Sequence, residues 1–212
     1  MKVITVGNVK GGVGKSTIAC NLAVEATKAG KKVLLVDSDT QQSSIDFRAT
    51  RAEKNLPEFQ AVSITKNTIH KDVGSFKDFD FVFIDAGGRD TAVFRSAILA
   101  SDLFLIPVLP SQYDIWATAG TVETLEEAKS FKEVAACFVI NQVIPNTTVA
   151  KEALQALKDF NIPILNTKIH ARVAFKQSIS EGKGVTEYET AGKNGKASKE
   201  LTALFQEVLK CL

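Results

Sequence analysis

At 212 residues, with 45% apolar and 24% charged side chains, the chain has the make-up of a soluble globular protein long enough to bury a sheet on both faces. A net charge of +2 is too small to imply a nucleic-acid partner through bulk electrostatics, and no apolar run approaches the ~20 residues of a membrane span. Cys20, Cys137 and Cys211 are too scattered for a metal knuckle and read as reduced thiols.

Met1-Lys2-Val3 enters a strand at once, which predicts no signal peptide and a cytoplasmic location. Val3 to Val6 then runs into Gly7-Asn8-Val9-Lys10-Gly11-Gly12-Val13-Gly14-Lys15-Ser16-Thr17, and that loop into a helical stretch from Ile18 to Ala29. Strand, glycine-rich loop and helix in this order predict a phosphate cradle. Gly11, Gly12 and Gly14 let successive N–H groups curl inward at the positive end of a helix, with Val13 between them. Lys15 supplies a charge for the terminal phosphates, Ser16 a hydroxyl for Mg²⁺, and Thr17 starts the buried helix.

The general phosphate-loop pattern has a glycine five residues before Gly14, where this chain has Val9. Lys10-Gly11-Gly12-Val13-Gly14-Lys15-Ser16-Thr17 instead resembles the deviant phosphate loop of the ParA/MinD group of ATPases. In that group the extra lysine, here Lys10, reaches across a dimer to the partner's nucleotide.

Gly30 predicts the end of the first helix, and Val33 to Asp37 a buried parallel strand ending in acid. Asp37 and Asp39, two apart, are expected on one side of the strand's carboxyl end, where open α/β sheets place ligands. The competing reading is a cap for a helix near Ser43 to Arg51. Asp37 to Gln42 resembles the ParA family's Asp-x-Asp-Pro-Gln segment, with Thr40 in place of proline. The resemblance gives Asp39 the role of orienting the attacking water and Asp37 a weaker part near the metal.

The span from Ile45 to Phe76 is more polar, with an edge strand expected at Phe59 to Ile64 and a helix at Asn67 to Phe76. His70 there reads as a surface or capping residue. Asp80 to Asp85 is a further apolar strand ending in acid before Ala86-Gly87-Gly88, a Walker B pattern in which Asp85 holds Mg²⁺ and the glycines respond to the terminal phosphate. Arg89 follows in the ParA-like switch position.

Asp102 to Ser111 resembles the family's strand and proline turn, and Tyr113 begins a long helix through Lys132 in which Asp114 caps or switches and Trp116 packs. Ala135 to Asn141 is another buried strand. Guanine readers place an aspartate shortly after such an asparagine, whereas Asn141-Gln142-Val143-Ile144 carries no acid, so Asn141 with backbone groups favours adenine. Closing a turn is its alternative role. An amphipathic helix is expected from Thr148 to Phe160, a last strand at Pro163 to Asn166, a helical tail from Ile169, and a final helix at Ala197 to Leu209.

From Asn166 onward eight basic residues face five acidic ones, a modest surplus that fits a solvated surface as well as DNA. Arg172, Lys176, Lys196 and Lys199 are the DNA-contact candidates, and the family resemblance tips the balance towards them. Leu201, Leu204, Phe205, Val208 and Leu212 recur at helical spacing; a core stripe is favoured over a MinD-like membrane anchor because Glu200 and Glu207 interrupt a cationic face.

Alternating strands and helices predict one α/β domain over 1–212, a mostly parallel twisted sheet with helices on both faces. The resemblance covers nearly the whole chain and implies a small partition ATPase without an added N-terminal DNA-binding domain. It implies Mg²⁺-dependent ATP hydrolysis, slow and partner-stimulated, in a homodimer that binds DNA non-specifically. A centromere-binding ParB-like adaptor, a cytoplasmic and nucleoid-associated location, and no stable membrane association complete that expectation. A MinD-like or other cargo-positioning ATPase uses the same core. A dethiobiotin-synthetase-like ligase would need a second pocket for a small acid and gives Lys10 no role, and an iron–sulfur carrier would need paired cysteines.

Overall fold

The computed structural model describes residues 1–88, 91–145, 149–189 and 195–212. In chain order these form β1 (Lys2–Val6), α1 (Lys15–Lys28), β2 (Val33–Asp37), α2 (Ser43–Glu53), β3 (Gln60–Ser63) and α3 (Ile69–Asp72). β4 (Phe81–Asp85), α4 (Ala92–Ala100), β5 (Leu103–Val108), α5 (Gln112–Lys129) and β6 (Ala135–Ile140) follow. The chain ends with α6 (Val149–Leu157), α7 (Val173–Ser180), α8 (Val185–Tyr188) and α9 (Lys196–Lys210).

The six strands form one parallel sheet in the order β3-β2-β4-β1-β5-β6, as the alternation of elements predicts. The two-residue period of each strand splits its side chains between two cores. Ile4, Val6, Leu35, Phe83 and Val139 point into a layer closed by α1, α2, α7, α8 and α9. Val3, Leu34, Val82, Phe104 and Ile140 point into the opposite layer, under α3 to α6. Register places Val6 beside Asp85 and Asp85 beside Asp37, so the two acid-tipped strands finish level with the start of the glycine-rich loop.

α1 stops where the glycine is. Gly30 has φ 74°, its N–H bonds Thr27 O at 2.9 Å, and Lys31 N bonds Ala26 O at 3.1 Å, the paired closure of a left-handed helix end.

Three expectations need correction. Pro163 to Asn166 is not a full strand but a single bridge from Ile164 to Phe138. Pro163 has no N–H to give, and the Asn166 and Thr167 N–H groups go to Glu207, each at 2.8 Å. The tail helix begins at Val173 rather than Ile169, because Ile169 N and Ala171 N bond Ile140 O and Val143 O and prolong the sheet edge. Trp116 does not pack into the core: it is 61% exposed and meets Tyr113, 78% exposed, edge to face at 5.6 Å.

His70 is exposed and partnered by Ser96, with Nδ1 2.8 Å from the hydroxyl. Leu201, Leu204, Phe205 and Val208 are buried in the α1-side core, so the α9 stripe is packing surface. Among the described residues no helix is long and apolar enough to cross a membrane. Arg89, Thr148 and Lys193 lie outside the described residues.

Candidate nucleotide site

The glycine-rich loop is built from below by side chains that the motif does not specify. Asn8, fully buried, donates to Pro107 O at 2.9 Å and to Thr118 Oγ1 at 3.3 Å, while its Oδ1 accepts from Lys10 N at 2.9 Å and Thr121 Oγ1 at 3.0 Å. Val9 N also bonds Thr121 Oγ1, at 3.0 Å. One amide thus ties the loop to the end of β5 and to α5. On the other side Asn141 Nδ2 donates to Val13 O at 2.7 Å, and Gln142, at φ 54°, reaches Gly12 O at 3.0 Å.

Gly14 is required twice over. Its φ is 91°, and a Cβ there would stand 2.3 Å from Asn141 Nδ2. It is the N-cap of α1, which has no side-chain cap and no acid in its first turn, so the positive helix end is left for an outside anion.

Lys15 bends back into the loop. Its Nζ donates to Lys10 O at 3.1 Å and would lie 3.0 Å from a Cβ at Gly88. Burial pulls its ammonium below the ordinary lysine value, against the opposing pull of Asp85 and Asp39. The charge therefore sits between the phosphate loop, the β4 tip and the loop after it.

Asp85 is 1% exposed and accepts a hydrogen bond from the Ser44 hydroxyl, with the Ser16 hydroxyl close enough to influence its charge. Burial pushes its carboxyl up to about 7, and those two hydroxyls oppose the rise. Among the described residues no group of three or more His, Cys, Asp or Glu gathers as a self-sufficient metal cage. Ser16 and Asp85 instead fit Mg²⁺, which takes one or two protein ligands and completes its shell with phosphate oxygens and water.

Asp37, expected near the metal, is occupied elsewhere. Its Oδ1 accepts from Asp39 N at 3.0 Å, and its Oδ2 from Ser44 N at 2.8 Å and Ile45 N at 3.3 Å. The carboxylate is fully buried and caps α2 from the strand end, so the capping alternative describes it better. Asp39 stands apart from it. Its Oδ1 holds Gln41 N at 3.0 Å, and its carboxylate lies 3.6 Å from a Cβ position at Gly87. Asp39, Lys15 and the Gly87-Gly88 loop thus face one space, although Asp37 and Asp39 do not act as the pair the alternation suggested.

Lys10 turns its side chain outward. Its Nζ lies 3.7 Å from Asp114 Oδ1 with the side chain 44% exposed, while its backbone is fixed by Asn8 and Lys15. Ser111 caps α5 by accepting from Asp114 N at 3.2 Å, and its hydroxyl donates to the Asp114 carboxylate. Asp114 thus both fits the helix cap and holds Lys10.

A cavity of about 240 Å³ opens beside Gly14 and Thr17. Ile169, Phe175 and Leu201 give it apolar walls, and Arg172 and Lys176 stand on its lining. A base and sugar would find apolar faces there and polar groups at the rim. Two of the DNA-contact candidates therefore line the cavity. Arg172 is further committed, since its Nε reaches Glu200 Oε1 at 3.0 Å and its Nη2 bonds the same oxygen. Glu200 also accepts from His170 Nδ1 at 2.8 Å. Lys196 and Lys199 are exposed on α9.

Asn8, Ser44, Thr121 and Gln142 escaped the sequence reading because each acts through tertiary contacts at positions where the loop motif or helix pattern accepts any residue. Asn141 was found, but its contacts point to a brace rather than a base reader. Asn141→Ala is expected to lower the melting temperature by about 3–8 °C, from a lost buried hydrogen bond of ~1–3 kcal/mol. Nucleotide affinity should fall about tenfold as Gly12 to Gly14 loosen. Thermal melts with nucleotide titration check this; an unchanged melt with ATP and GTP competing equally would return Asn141 to the base.

The model of the CobQ/CobB/MinD/ParA nucleotide-binding domain matches residues 4–185. Maintenance of carboxysome distribution protein A from Halothiobacillus neapolitanus is 29% identical, over 97% of this chain and 95% of its own. The chromosome-partitioning ATPase Soj of Thermus thermophilus is 28% identical over 60% of this chain and 62% of its own. The structure of a plasmid partition protein from Borrelia burgdorferi B31 bound to AMPPNP superposes with a TM-score of 0.78 at 21% identity, covering 100% of this chain and 99% of that one. With its phosphate cradle, acid-tipped strands and base-sized cavity in one crevice, the chain belongs to the CobQ/CobB/MinD/ParA family of nucleotide-binding domains and is an ATPase of the ParA/MinD kind.

Proposed function

We propose that residues 1–212 act as one Mg²⁺-dependent ATP switch, which closes into a homodimer around ATP and in that state binds DNA without sequence preference to position a cargo. The observation that carries this reading is Lys10: it lies at the loop's leading edge, outside the cradle that Lys15 already fills, with its side chain 44% exposed beside Asp114. That position supports a contact with phosphate on a facing subunit once Asp114 lets it go.

Within the crevice, loop N–H groups and Lys15 bind the phosphates, and Ser16 with Asp85 holds Mg²⁺. The metal, when bound, neutralises charge between the terminal phosphates. Asp39 orients the attacking water, and Gly87-Gly88, against both Asp39 and Lys15, follow the terminal phosphate. Turnover is slow until an adaptor, ParB-like or specific to another cargo, docks. The location that goes with this cycle is the cytoplasm, at the nucleoid.

Cargo positioning is favoured over chromosome partition because the carboxysome-distribution relative aligns nearly end to end, whereas Soj aligns over 60% of the chain. The ligase alternative gives Lys10, at the edge of the loop, no role.

DNA contact rests on α9. The double change Lys196→Gln and Lys199→Gln is expected to weaken binding of random duplex by roughly tenfold and to lower the salt slope by about 2, with basal hydrolysis unchanged. Fluorescence anisotropy with ATP across a salt series measures both. Binding to anionic vesicles but not to duplex at low salt would replace this reading by a MinD-like one.

A further inference from the structure

β2 and β4 end on two buried acids side by side, Asp37 in register with Asp85. Carboxylates held out of water need hydrogen-bond donors to stay charged, and Ser44 serves both of these. Its N–H donates to Asp37 Oδ2 at 2.8 Å, and its hydroxyl donates to Asp85 Oδ2. The helix itself has no need of that hydroxyl. Gln42, at the start of α2, makes no side-chain cap, and the Asp37 carboxylate takes the N–H groups of Ser44 and Ile45 instead. Alanine would form such a helical position better than serine.

Ser44 is also held in place. It is fully buried, and Phe47, one turn further along α2, is buried in the α1-side core. At the far end of α2 the buried Arg51 gives Nη1 and Nη2 to Glu187, each at 2.7 Å, and Nε to Pro57 O at 2.6 Å. The β4 tip is gripped from the same connection, since Ser38 donates to Asp85 O through its N–H at 3.0 Å and its hydroxyl at 3.1 Å. The segment joining β2 to α2 thus holds Asp85 by its backbone and by its carboxylate, and Asp39 lies between the two serines that do so.

We propose that Ser44 is a positioning residue for the metal site: its hydroxyl fixes the Asp85 carboxylate in the orientation that receives Mg²⁺, while its N–H keeps Asp37 committed to α2. The proposal rests on the reading that Ser16 and Asp85 hold the metal. A carboxylate is free to turn about its last bond, and a donor locked onto one oxygen removes that freedom before any metal arrives. Without the hydroxyl, that ordering falls to metal binding and weakens it. The same residue joins the metal acid to the segment that carries Asp39, so the two acids of the crevice are set by one short connection.

The test measures the affinity of the full chain for AMPPNP in EDTA and across a Mg²⁺ series. Ser44→Ala, which keeps the N–H and loses the hydroxyl, is expected to raise the half-saturating Mg²⁺ concentration by roughly 10- to 100-fold. Its affinity in EDTA should stay within about threefold of the parent, a split that a general loosening of the fold would not produce. Ser44→Thr, which keeps a hydroxyl, should retain the parent's Mg²⁺ requirement. Asp85→Asn separates this proposal from the reading beneath it. If Asp85→Asn keeps the parent's requirement, the metal-site reading itself is wrong. A raised requirement in Asp85→Asn but not in Ser44→Ala overturns the role of Ser44 alone. An increase shared equally by Ser44→Ala and Ser44→Thr, or an equal loss of affinity with and without Mg²⁺, would assign Ser44 to packing and overturn the proposal as well.

Discussion

Lys15→Ala is expected to lower ATP affinity by about 10²- to 10³-fold, because the variant removes a buried charge whose counter-groups, Asp85 and Asp39, remain in place. Asp39→Ala is expected to behave in the opposite sense. Asp39 is half-buried and bonds the N–H of Gln41, away from the loop N–H groups that hold phosphate. Removing it leaves the cradle intact and relieves a negative charge near the phosphates, so ATP should bind at least as well while turnover falls by about 10²- to 10⁴-fold. Nucleotide titration and steady-state hydrolysis on the same preparations separate the two. An Asp39 variant that hydrolyses ATP at the parent rate removes that residue from the reaction.

The second large effect is expected at Lys10. Its backbone serves its own loop through Asn8 and Lys15, contacts that an alanine keeps, so Lys10→Ala should bind ATP within about threefold of the parent. In the proposed dimer its side chain would serve the other subunit. Hydrolysis per chain should therefore rise with protein concentration in the parent and stay flat, at least about tenfold lower, in the variant. Asp114→Asn, which frees Lys10 from its partner at 3.7 Å, should shift the parent's rise to lower concentration. A Lys10 variant with the parent's concentration dependence would place Lys10 outside the reaction.

These two predictions draw on different parts of what the sequence made legible. Lys10 to Thr17 could be read because a phosphate cradle needs glycines and a lysine at fixed spacing, and the flanking strand and helix place them. Asp85 could be read because a buried parallel strand is an unbroken apolar run, and an acid at its tip stands out. Asp37 was misjudged by the same logic: a strand-end acid also sits where the next helix needs a cap, and only the Ser44 and Ile45 N–H groups decide between the two. Arg172 looked like surface because its partners, Glu200 and the cavity wall, are brought in by a helix some 30 residues later. Trp116 looked like core because aromatic residues usually are, whereas the first turn of α5 lies at the rim beside Lys10.

The central claim is that ATP closes two copies of this chain into one switch. Light scattering on Asp39→Ala, which should bind ATP without consuming it, measures this directly in buffer with Mg²⁺ alone, with ADP and with ATP. The account predicts a monomer mass in the first two and twice that mass with ATP, the increase being lost when Lys10→Ala is added. One mass under all three conditions, while titration shows ATP bound, would contradict it.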